Sequence, residues 1–302
     1  MEKELARKTG IKEIVIREIR ELAEKCGVQK VILFGSRARG DYRERSDINL
    51  AFMGGDASRF ILAMDEETST LLMFDIVDLR NLVTPELMDS IRRDGIVIYE
   101  NTEKKGVNLE QVCANLQARG FGARIFPDGQ AAADYLDSVI DGTSVGFGGS
   151  VTLQEIGAYN RLARHNEVWW HWAGETEERD KAMNTEVYLS SVNGLSEGGE
   201  IMNIDGTGNR VASTLYGHKR VYFVVGQNKI APTYEEALWR ARNIAGPKNA
   251  QRLGMKTPCA ERGDRCYDCN SPQRICRGLV VLWRPMLGVE TEVLLVRENL
   301  GF

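Results

Sequence analysis

The stretch from residue 31 to residue 52 constrains the fold more than any other part of this sequence. It holds two short apolar runs, Val31 to Phe34 and Ile48 to Phe52, which are separated by Gly35-Ser36 and a polar turn. Apolar runs of this length, bounded by glycine and polar residues, are typical of buried strands. The sequence therefore predicts a strand, a glycine-containing loop and a second strand, which together require a sheet near the start of the chain.

Periodicity predicts mixed α/β structure along the whole chain. Apolar residues at steps of three and four from Ile11 to Leu22 indicate an amphipathic helix, and the runs 71–79 and 96–99 indicate further strands. A helix is predicted from Leu109, after which strands such as Val221 to Val225 alternate with helical stretches. Such alternation is the pattern of a sheet covered by helices.

Chain length predicts two domains. A chain of 302 residues is longer than one hydrophobic core usually serves. The segment 101–106, NTEKKG, is polar and has no periodicity, so we predict a linker there. The first domain is then predicted at residues 1–100 and the second at residues 107–302.

Composition argues against several classes of protein. The net charge is −4 and no broad basic field is present, so a nucleic-acid partner is not expected. The sequence lacks an apolar run of about 18 residues, so no membrane span is predicted. We recognise no signal-like leader and expect a cytoplasmic protein. Self-association into a homo-oligomer is left open.

The glycine-containing loop and the strands after it carry residues suited to a phosphorylated ligand and a metal. Gly35 and Ser36 can present backbone N–H groups and a hydroxyl to an anion. Asp47 and Asn49 are two residues apart on a strand, so their side chains leave the same face. Asp75 lies in a later strand, and oxygen ligands from neighbouring strands are what Mg²⁺ bound to nucleotide phosphates requires.

This arrangement resembles the minimal nucleotidyltransferase domain of the DNA-polymerase-beta superfamily, and the resemblance covers the predicted first domain. It implies a small α/β nucleotidyltransferase fold that binds a nucleoside triphosphate with Mg²⁺. By position, Gly35 and Ser36 would hold the triphosphate. Asp47 and Asn49 would stand where the family has paired metal ligands, and Asp75 would help to activate the attacking hydroxyl.

Asn49 departs from the family pattern, which has an acid at this position. An amide oxygen can bind Mg²⁺ but brings no negative charge, so a two-metal site would be weaker. Loss of one electrostatic element commonly lowers the rate about 10²-fold or more. We therefore predict nucleotide binding with slow or absent transfer. Arg37 is a further candidate for phosphate contact, although arginines in turns are usually solvated.

A second glycine-rich loop lies in the predicted second domain. In GFGGSVTLQEIG, residues 146–157, Gly148 and Gly149 follow an apolar strand and precede a helix predicted to begin near Thr152. Free N–H groups at such a loop can meet an anion, although these turns also use glycine for conformational reasons. The segments 190–210 and 224–232 also end candidate strands, where ligands of open α/β sheets gather.

From residue 107 to residue 302 the chain resembles the LUD, or lactate-utilisation, domain family in its small stand-alone type. The motifs that carry this resemblance are GFGGSVTLQEIG, VYLSSVNGLSEGGEIMNIDGTGNR, VVGQNKIAP and TPCAERGDRCYDCNSPQRIC. It implies the α/β architecture shared with sugar-phosphate isomerases and CoA transferases, whose glycine loops bind phosphorylated or CoA-linked small molecules. We expect a small phosphorylated, CoA-linked or carboxylate metabolite.

Several polar and small residues in these segments are candidates for binding that anion. They are Gly148, Gly149, Ser150, Thr152, Asp205, Asn209 and Lys229. Glu155 is open to two interpretations, an acid or base and a first-turn carboxylate that favours the helix dipole. The tryptophans Trp169, Trp170 and Trp172 are interpreted as core or interface residues.

Four cysteines near the end of the chain are spaced as a metal site. Cys259, Cys266, Cys269 and Cys276 form a C-x6-C-x2-C-x6-C pattern, in which the central pair can bind one ion and the outer pair can complete a four-sulfur shell. Both an iron–sulfur cluster and tetrahedral Zn²⁺ satisfy this pattern, and we favour [4Fe–4S] over Zn²⁺. Metal-free thiols are a further alternative.

Two functions from different classes follow from these patterns. In the first, the protein is an enzyme whose first domain transfers a nucleotidyl group and whose second domain binds or transforms a small anionic metabolite. In the second, the protein is a sensor that detects a metabolite or redox state and binds a nucleotide without consuming it. Mg²⁺-dependent release of pyrophosphate would favour the enzyme, which is our preferred interpretation.

Overall fold

The structure, a computed structural model, describes residues 2–81, 83–101, 107–170, 172 and 176–302. It divides into two compact units, Met1–Lys105 and Gly106–Phe302. The predicted linker lies outside the described residues except for Asn101. Both units contain strands and helices, so the predicted mixed α/β class is confirmed. None of the helices in these described ranges is long and apolar enough to cross a membrane.

The first unit has one sheet and helices on both sides of it. In chain order its elements are α1 (Glu2–Thr9), α2 (Glu13–Lys25), β1 (Val28–Phe34), α3 (Ser36–Arg39), β2 (Ile48–Gly54), α4 (Ala57–Glu67), β3 (Phe74–Asp78), α5 (Pro85–Asp94) and β4 (Ile96–Glu100). The strand order is β3-β2-β1-β4. β1 is antiparallel to β2 and β4, whereas β2 is parallel to β3.

The amphipathic helix predicted from the sequence is α2. It buries Val15, Ile16 and Ile19 against β1 and β2, because apolar residues three and four apart share one helix face. The predicted strand at 71–79 is shorter than expected. Pairing with β2 begins at Phe74, so Leu71 has no strand partner and is fully exposed.

The second unit contains a large parallel sheet and a smaller one. Its elements are α6 (Leu109–Ala118), β5 (Gly122–Phe126), α7 (Gly129–Val139), β6 (Ser144–Phe147), α8 (Val151–Glu155), α9 (Ala158–Leu162), β7 (Glu167–Trp170), α10 (Thr176–Ala182), β8 (Val187–Ser190), β9 (Gly194–Ser196), β10 (Ile201–Asp205), α11 (Asn209–Leu215), β11 (Arg220–Gly226), β12 (Ile230–Ala231), α12 (Tyr234–Arg240), α13 (Gly246–Arg252), α14 (Pro258–Arg262), β13 (Gly278–Leu282) and β14 (Glu290–Val296). A π-helical turn, Ala241–Ala245, joins α12 to α13.

The large sheet has the strand order β5-β14-β11-β8-β6-β7 and is parallel throughout. Alternate residues of β11 point to opposite faces of the sheet and pack into two different hydrophobic cores. Val221, Phe223 and Val225 pack with α6 and with the smaller sheet, β12-β9-β10-β13, whereas Tyr222 and Val224 pack with α7. Burial on both faces explains why this strand is apolar without a break.

Parallel pairing brings the carboxyl ends of β6, β8, β11 and β14 to one edge of the large sheet. The loops after these strands contain Gly149, Ser191 and Lys229. The chain after β14 reaches the same place, since Asn228 accepts a hydrogen bond from the Leu300 N–H and donates one to the Gly301 carbonyl. Ligands of open α/β sheets bind at this kind of edge.

Candidate functional site

In the first unit, the strands bring together a glycine turn, an amide and a carboxylate. Asn49 pairs with Phe34 on one side and with Asp75 on the other. Its Nδ2 donates a hydrogen bond of 2.9 Å to Asp75 Oδ2. Gly35, with φ 75°, leaves room for this amide, because a Cβ there would lie 2.9 Å from Asn49 Oδ1. Three of the predicted site residues therefore meet at one point of the sheet.

Asp47 and Ser36 flank this point. Asp47 directly precedes β2 and is exposed, and its negative charge opposes the lowering of the pKa of the Arg37 guanidinium that burial causes. Ser36 begins α3 directly after Gly35, and its carbonyl accepts hydrogen bonds from the N–H groups of Gly40 and Asp41. The turn after β1 therefore leads into a short helix, where the sequence predicted only a polar turn between two strands.

Arg37 differs from the expectation of a phosphate contact. The residue is 1% exposed. Its guanidinium donates to the carbonyls of Ser46, Glu44 and Thr9 and lies 5.0 Å from the ring centroid of Tyr42. These contacts join α1 to the loop that precedes β2. Arg37 thus positions the loop, since its donors serve backbone carbonyls.

In the second unit, the loops at the sheet edge enclose a cavity of about 390 Å³, which we call the strand-end cavity. Of the predicted binding residues, five line it. They are Gly149, Ser150, Asp205, Asn209 and Lys229. Ser150 caps α8 by accepting from the Leu153 N–H. Asp205 accepts from the N–H groups of Thr207, Gly208 and Val211, so this carboxylate orders the loop after β10.

Gly148 and Thr152, the other two predicted residues, lie behind the cavity wall. The Gly148 N–H, which the sequence predicted for an anion, already donates to the Leu189 carbonyl in this structure. A Cβ on Gly148 would lie 2.9 Å from the Tyr188 hydroxyl, and close packing is what requires glycine there. Thr152 is fully buried, and its hydroxyl accepts from Lys229 and donates to the Leu300 carbonyl.

Lys229 reaches the cavity from the turn after β11. Lys229 is 4% exposed. Burial lowers the pKa of its amine to about 7, and the positive charges of Arg240 and Arg210 contribute to this lowering. Nζ donates to Thr152 Oγ1 at 2.7 Å and to Ser191 Oγ at 2.8 Å. A buried ionisable group with a shifted pKa in a cleft is a candidate for a functional residue.

Three arginines add positive charge to the same cavity, and no pattern in the sequence pointed to two of them. Arg179 and Arg252 come from α10 and α13, where a helical arginine resembles a solvated surface residue. Arg252 lies 4.4 Å from the ring centroid of Trp172, which also lines the cavity. Arg210 donates to Asn203 and Asn193 and lies 3.8 Å from Asp205.

The sequence left Glu155 as either an acid or base or a first-turn carboxylate of a helix. Its hydrogen-bond partner in the structure favours neither interpretation. Its Oε2 accepts a 2.7 Å hydrogen bond from the Gly301 N–H. The carboxylate therefore holds the chain after β14 against α8. Through its charge it also opposes the lowering of the Lys229 pKa.

The four late cysteines line a second cavity of about 230 Å³, which we call the thiol cavity. Cys259 lies on α14, whereas the other three follow in a segment without helix or strand. The six cysteines all belong to the described residues, and all are free thiols. Arg274 donates to Cys276 Sγ at 3.4 Å, and the Asp268 N–H lies 3.3 Å from Cys266 Sγ.

The thiol groups surround one space without converging on one point. In the described part of the chain, no group of three or more histidine, cysteine, aspartate or glutamate residues is arranged to hold a metal ion. The donor set nevertheless has the chemistry of a sulfur site, since four thiols face one cavity and N–H donors approach two of the sulfurs.

The strand-end cavity and the thiol cavity share a wall. Ile204, Gly246, Ile275 and Cys276 line both of them. Cys276 is therefore the cysteine that borders both spaces. The other three cysteines border the thiol cavity and are not among the residues that line the strand-end cavity.

Known structures are similar to parts of this chain at low sequence identity. A DUF162 family protein from Deinococcus radiodurans is 12% identical, with 62% of this chain and 95% of that chain covered and a TM-score of 0.37. A toxin–antitoxin structure with AMP-PNP is 22% identical, with 34% of this chain and 93% of that chain covered and a TM-score of 0.24. Comparison with curated proteins gave no match.

Family models match both units and confirm the two resemblances seen in the sequence. The model described as polymerase beta, nucleotidyltransferase, matches residues 17–104. The LUD domain model matches residues 109–296, which is more than half of the 302 residues. The chain therefore belongs to the LUD domain family and carries a nucleotidyltransferase domain of the polymerase-beta type before its LUD domain.

Proposed function

We propose that the LUD domain binds a small anionic metabolite in the strand-end cavity. The observation that carries this proposal is the charge of the cavity wall, where Arg179, Arg210 and Arg252 approach one space of about 390 Å³. Arg179 Nε is buried and has no hydrogen-bond partner among the described residues. A carboxylate or phosphate would supply the acceptor that a buried donor requires.

Calorimetric titration with inorganic phosphate, pyruvate and coenzyme A tests this proposal and separates the three metabolite classes. Arg252→Gln should weaken binding about tenfold or more, since hydrogen bonds to charged groups contribute about 1.5–3 kcal/mol. Arg164→Gln, which removes an exposed arginine outside the cavity, is the matched control. Equal affinities of the two variants would contradict the proposal.

We also propose that the four cysteines hold a metal centre, [4Fe–4S] in preference to Zn²⁺. Support comes from the free thiols around the thiol cavity and from the N–H donors to sulfur. Binding requires the thiols to move towards one another, so metal should order the segment 263–277. Such a centre would supply either a structural cross-link or electron transfer beside the metabolite.

Native mass spectrometry with metal analysis of anaerobically prepared protein tests the metal centre. The chain should retain iron and sulfide, with stoichiometric zinc as the alternative result. Cys269→Ser should lose the metal, whereas Cys113→Ser, outside the cluster, should keep it. Metal-free wild type from anaerobic preparation would refute the site.

For the nucleotidyltransferase domain we propose binding of Mg²⁺ with a nucleoside triphosphate and slow transfer. Support comes from the Gly35 turn beside the Asn49–Asp75 pair, because this places backbone N–H groups and oxygen ligands at the same end of the sheet. The Asn49 amide donates a hydrogen bond to one carboxylate oxygen of Asp75. A neutral side chain therefore stands where the family has a second acid. Tight binding of MgATP with slow or absent release of pyrophosphate is the expected result.

The sensor alternative is supported by the shared wall of the two cavities in the LUD domain. A ligand in the strand-end cavity would contact Cys276, and a metal in the thiol cavity would change the same wall. Nucleotide affinity that depends on the redox state of the cysteines would favour a sensor. Mg²⁺-dependent release of pyrophosphate would favour an enzyme.

A further inference from the structure

Lys229 has the surroundings of a nucleophile rather than those of a buried ion pair. Both of its hydrogen-bond acceptors, Thr152 Oγ1 and Ser191 Oγ, are neutral hydroxyls. Buried charged groups normally require a charged partner, so this environment favours the neutral amine. The side chain also lines the strand-end cavity, which gives a small ligand access to it.

The two hydroxyls fix the direction in which the amine can react. Ser191 Oγ donates to the Val224 carbonyl at 2.6 Å, and Thr152 Oγ1 donates to the Leu300 carbonyl at 3.3 Å. Each hydroxyl has one hydrogen, so each must accept from Lys229. A neutral amine has two hydrogens, both of which are then used, and its lone pair is left for an electrophile.

Two of the three charged groups that act on Lys229 also favour its neutral form. Arg210 on α11 and Arg240 on α12 oppose protonation, and Glu155 on α8 favours it. Burial is the largest cause, and together these effects lower the pKa of the amine to about 7. A large fraction of the amine is therefore neutral at physiological pH, which is how proteins activate lysine as a nucleophile.

We propose that Lys229 forms a Schiff base with an anionic carbonyl compound in the strand-end cavity. The inference rests on the proposed binding of a small anion there, because the arginines of the wall would hold the carboxylate or phosphate of the same molecule. A 2-oxo acid and a phosphorylated ketone or aldehyde share this chemistry. Nζ forms a bond to the carbonyl carbon, the carbonyl C–O bond breaks, and both amine hydrogens leave with that oxygen as water.

Reductive trapping tests the proposal directly. The full chain is incubated with sodium cyanoborohydride and either pyruvate or dihydroxyacetone phosphate, and the two arms distinguish the carboxylate source from the phosphate source. Intact mass should show one adduct, and peptide mapping should place it on Lys229. Lys229→Met should abolish the adduct, whereas Lys219→Met, whose side chain is 74% exposed, should keep it.

Calorimetry without the reductant separates failure of the Schiff base from failure of the pocket. Binding of either compound without an adduct on Lys229 would overturn the Schiff base and leave the anion site standing. Absence of both binding and adduct would overturn both. Adducts spread over several exposed lysines would also overturn the proposal. Peptide mapping of the wild type decides these cases even where Lys229→Met does not fold.

Discussion

Asn49 places an amide where two neighbouring strands would otherwise bring two carboxylates together. Its hydrogen bond to Asp75 removes the repulsion that an acid at this position would cause without a metal. The sequence showed the substitution, but it did not show that the amide would bond to Asp75. The consequence is that two of the residues proposed as metal ligands already share a hydrogen bond with each other.

Asn49→Asp should increase Mg²⁺-dependent nucleotide consumption about 10²-fold, because it restores one electrostatic element of the metal site. Without Mg²⁺ the variant should be less stable by about 1 kcal/mol, since a hydrogen bond is lost. Pyrophosphate release and thermal unfolding with and without Mg²⁺ measure these effects. Asn81→Asp adds the same charge at an exposed position and is the control. A wild type that is already fast, and is not improved, would refute the prediction.

Lys229 should give the folded protein a stability that rises with pH between about 7 and about 10.5. The pKa of its amine is about 7 in the folded chain, against an ordinary value of 10.5. Between these values the unfolded chain binds the proton and the folded chain does not, so stability increases with pH. Lys229→Met should lose this part of the slope. Urea unfolding at several pH values measures it, and identical slopes of wild type and variant would contradict the pKa.

At the scale of elements, each site depends on a turn that follows a strand. In the first domain the turn after β1 carries Gly35, whose positive φ and absent side chain allow the Asn49 amide to approach. In the LUD domain the loops after β6, β8 and β11 meet because these strands are parallel. The helices and strands form a rigid scaffold that holds the turns in place, and the turns carry the groups proposed to face a ligand.

Gly35→Ala should impair nucleotide binding, whereas Gly40→Ala should not. Both glycines have positive φ, so substitution at Gly40, with ψ 8°, should destabilise the chain by about 1–2 kcal/mol. Substitution at Gly35, with ψ −155°, should cost about 1–3 kcal/mol, because essentially only glycine adopts that conformation. A Cβ at Gly35 would also meet Asn49 Oδ1 at 2.9 Å, whereas a Cβ at Gly40 would have nothing within 4 Å. Titration with MgATP and thermal unfolding measure the two effects. Equal affinities of the variants would show that the Gly35–Asn49 approach does not shape the site.

For the whole molecule, each domain has its own candidate site, and the LUD domain has two adjoining cavities. Cys276 borders both cavities, whereas Cys269 borders the thiol cavity alone. A ligand in one cavity therefore meets a residue that also belongs to the other. Because the two cavities share this wall, binding of a metabolite in one would affect the reactivity of the cysteines in the other.

Alkylation of metal-free, reduced protein should show this coupling. A saturating ligand of the strand-end cavity should slow alkylation of Cys276 about tenfold at ten times its dissociation constant, because only the unoccupied fraction reacts. Cys269 should react at an unchanged rate and serves as the internal control. Quantitative mass spectrometry of the cysteine peptides measures both rates. Equal protection of the two cysteines, or protection of neither, would contradict coupling through the shared wall.

The sequence by itself determined the elements and the motifs, because these depend on local patterns. The apolar periodicity of α2, the Gly35-Ser36 turn and the cysteine spacing could all be read along the chain. The family resemblances rest on the same contiguous motifs, and the family models confirm them. The binding roles predicted for the individual residues remain predictions.

Only the tertiary structure decided how those residues are used, because burial and charge depend on elements that are distant in sequence. Arg37 is buried against carbonyls from α1 and from the loop before β2, and Arg252 enters the strand-end cavity from α13. The low pKa of Lys229 arises from burial and from arginines of two other helices. A linear pattern carries none of this information, since the same lysine would be an ordinary ammonium at the surface.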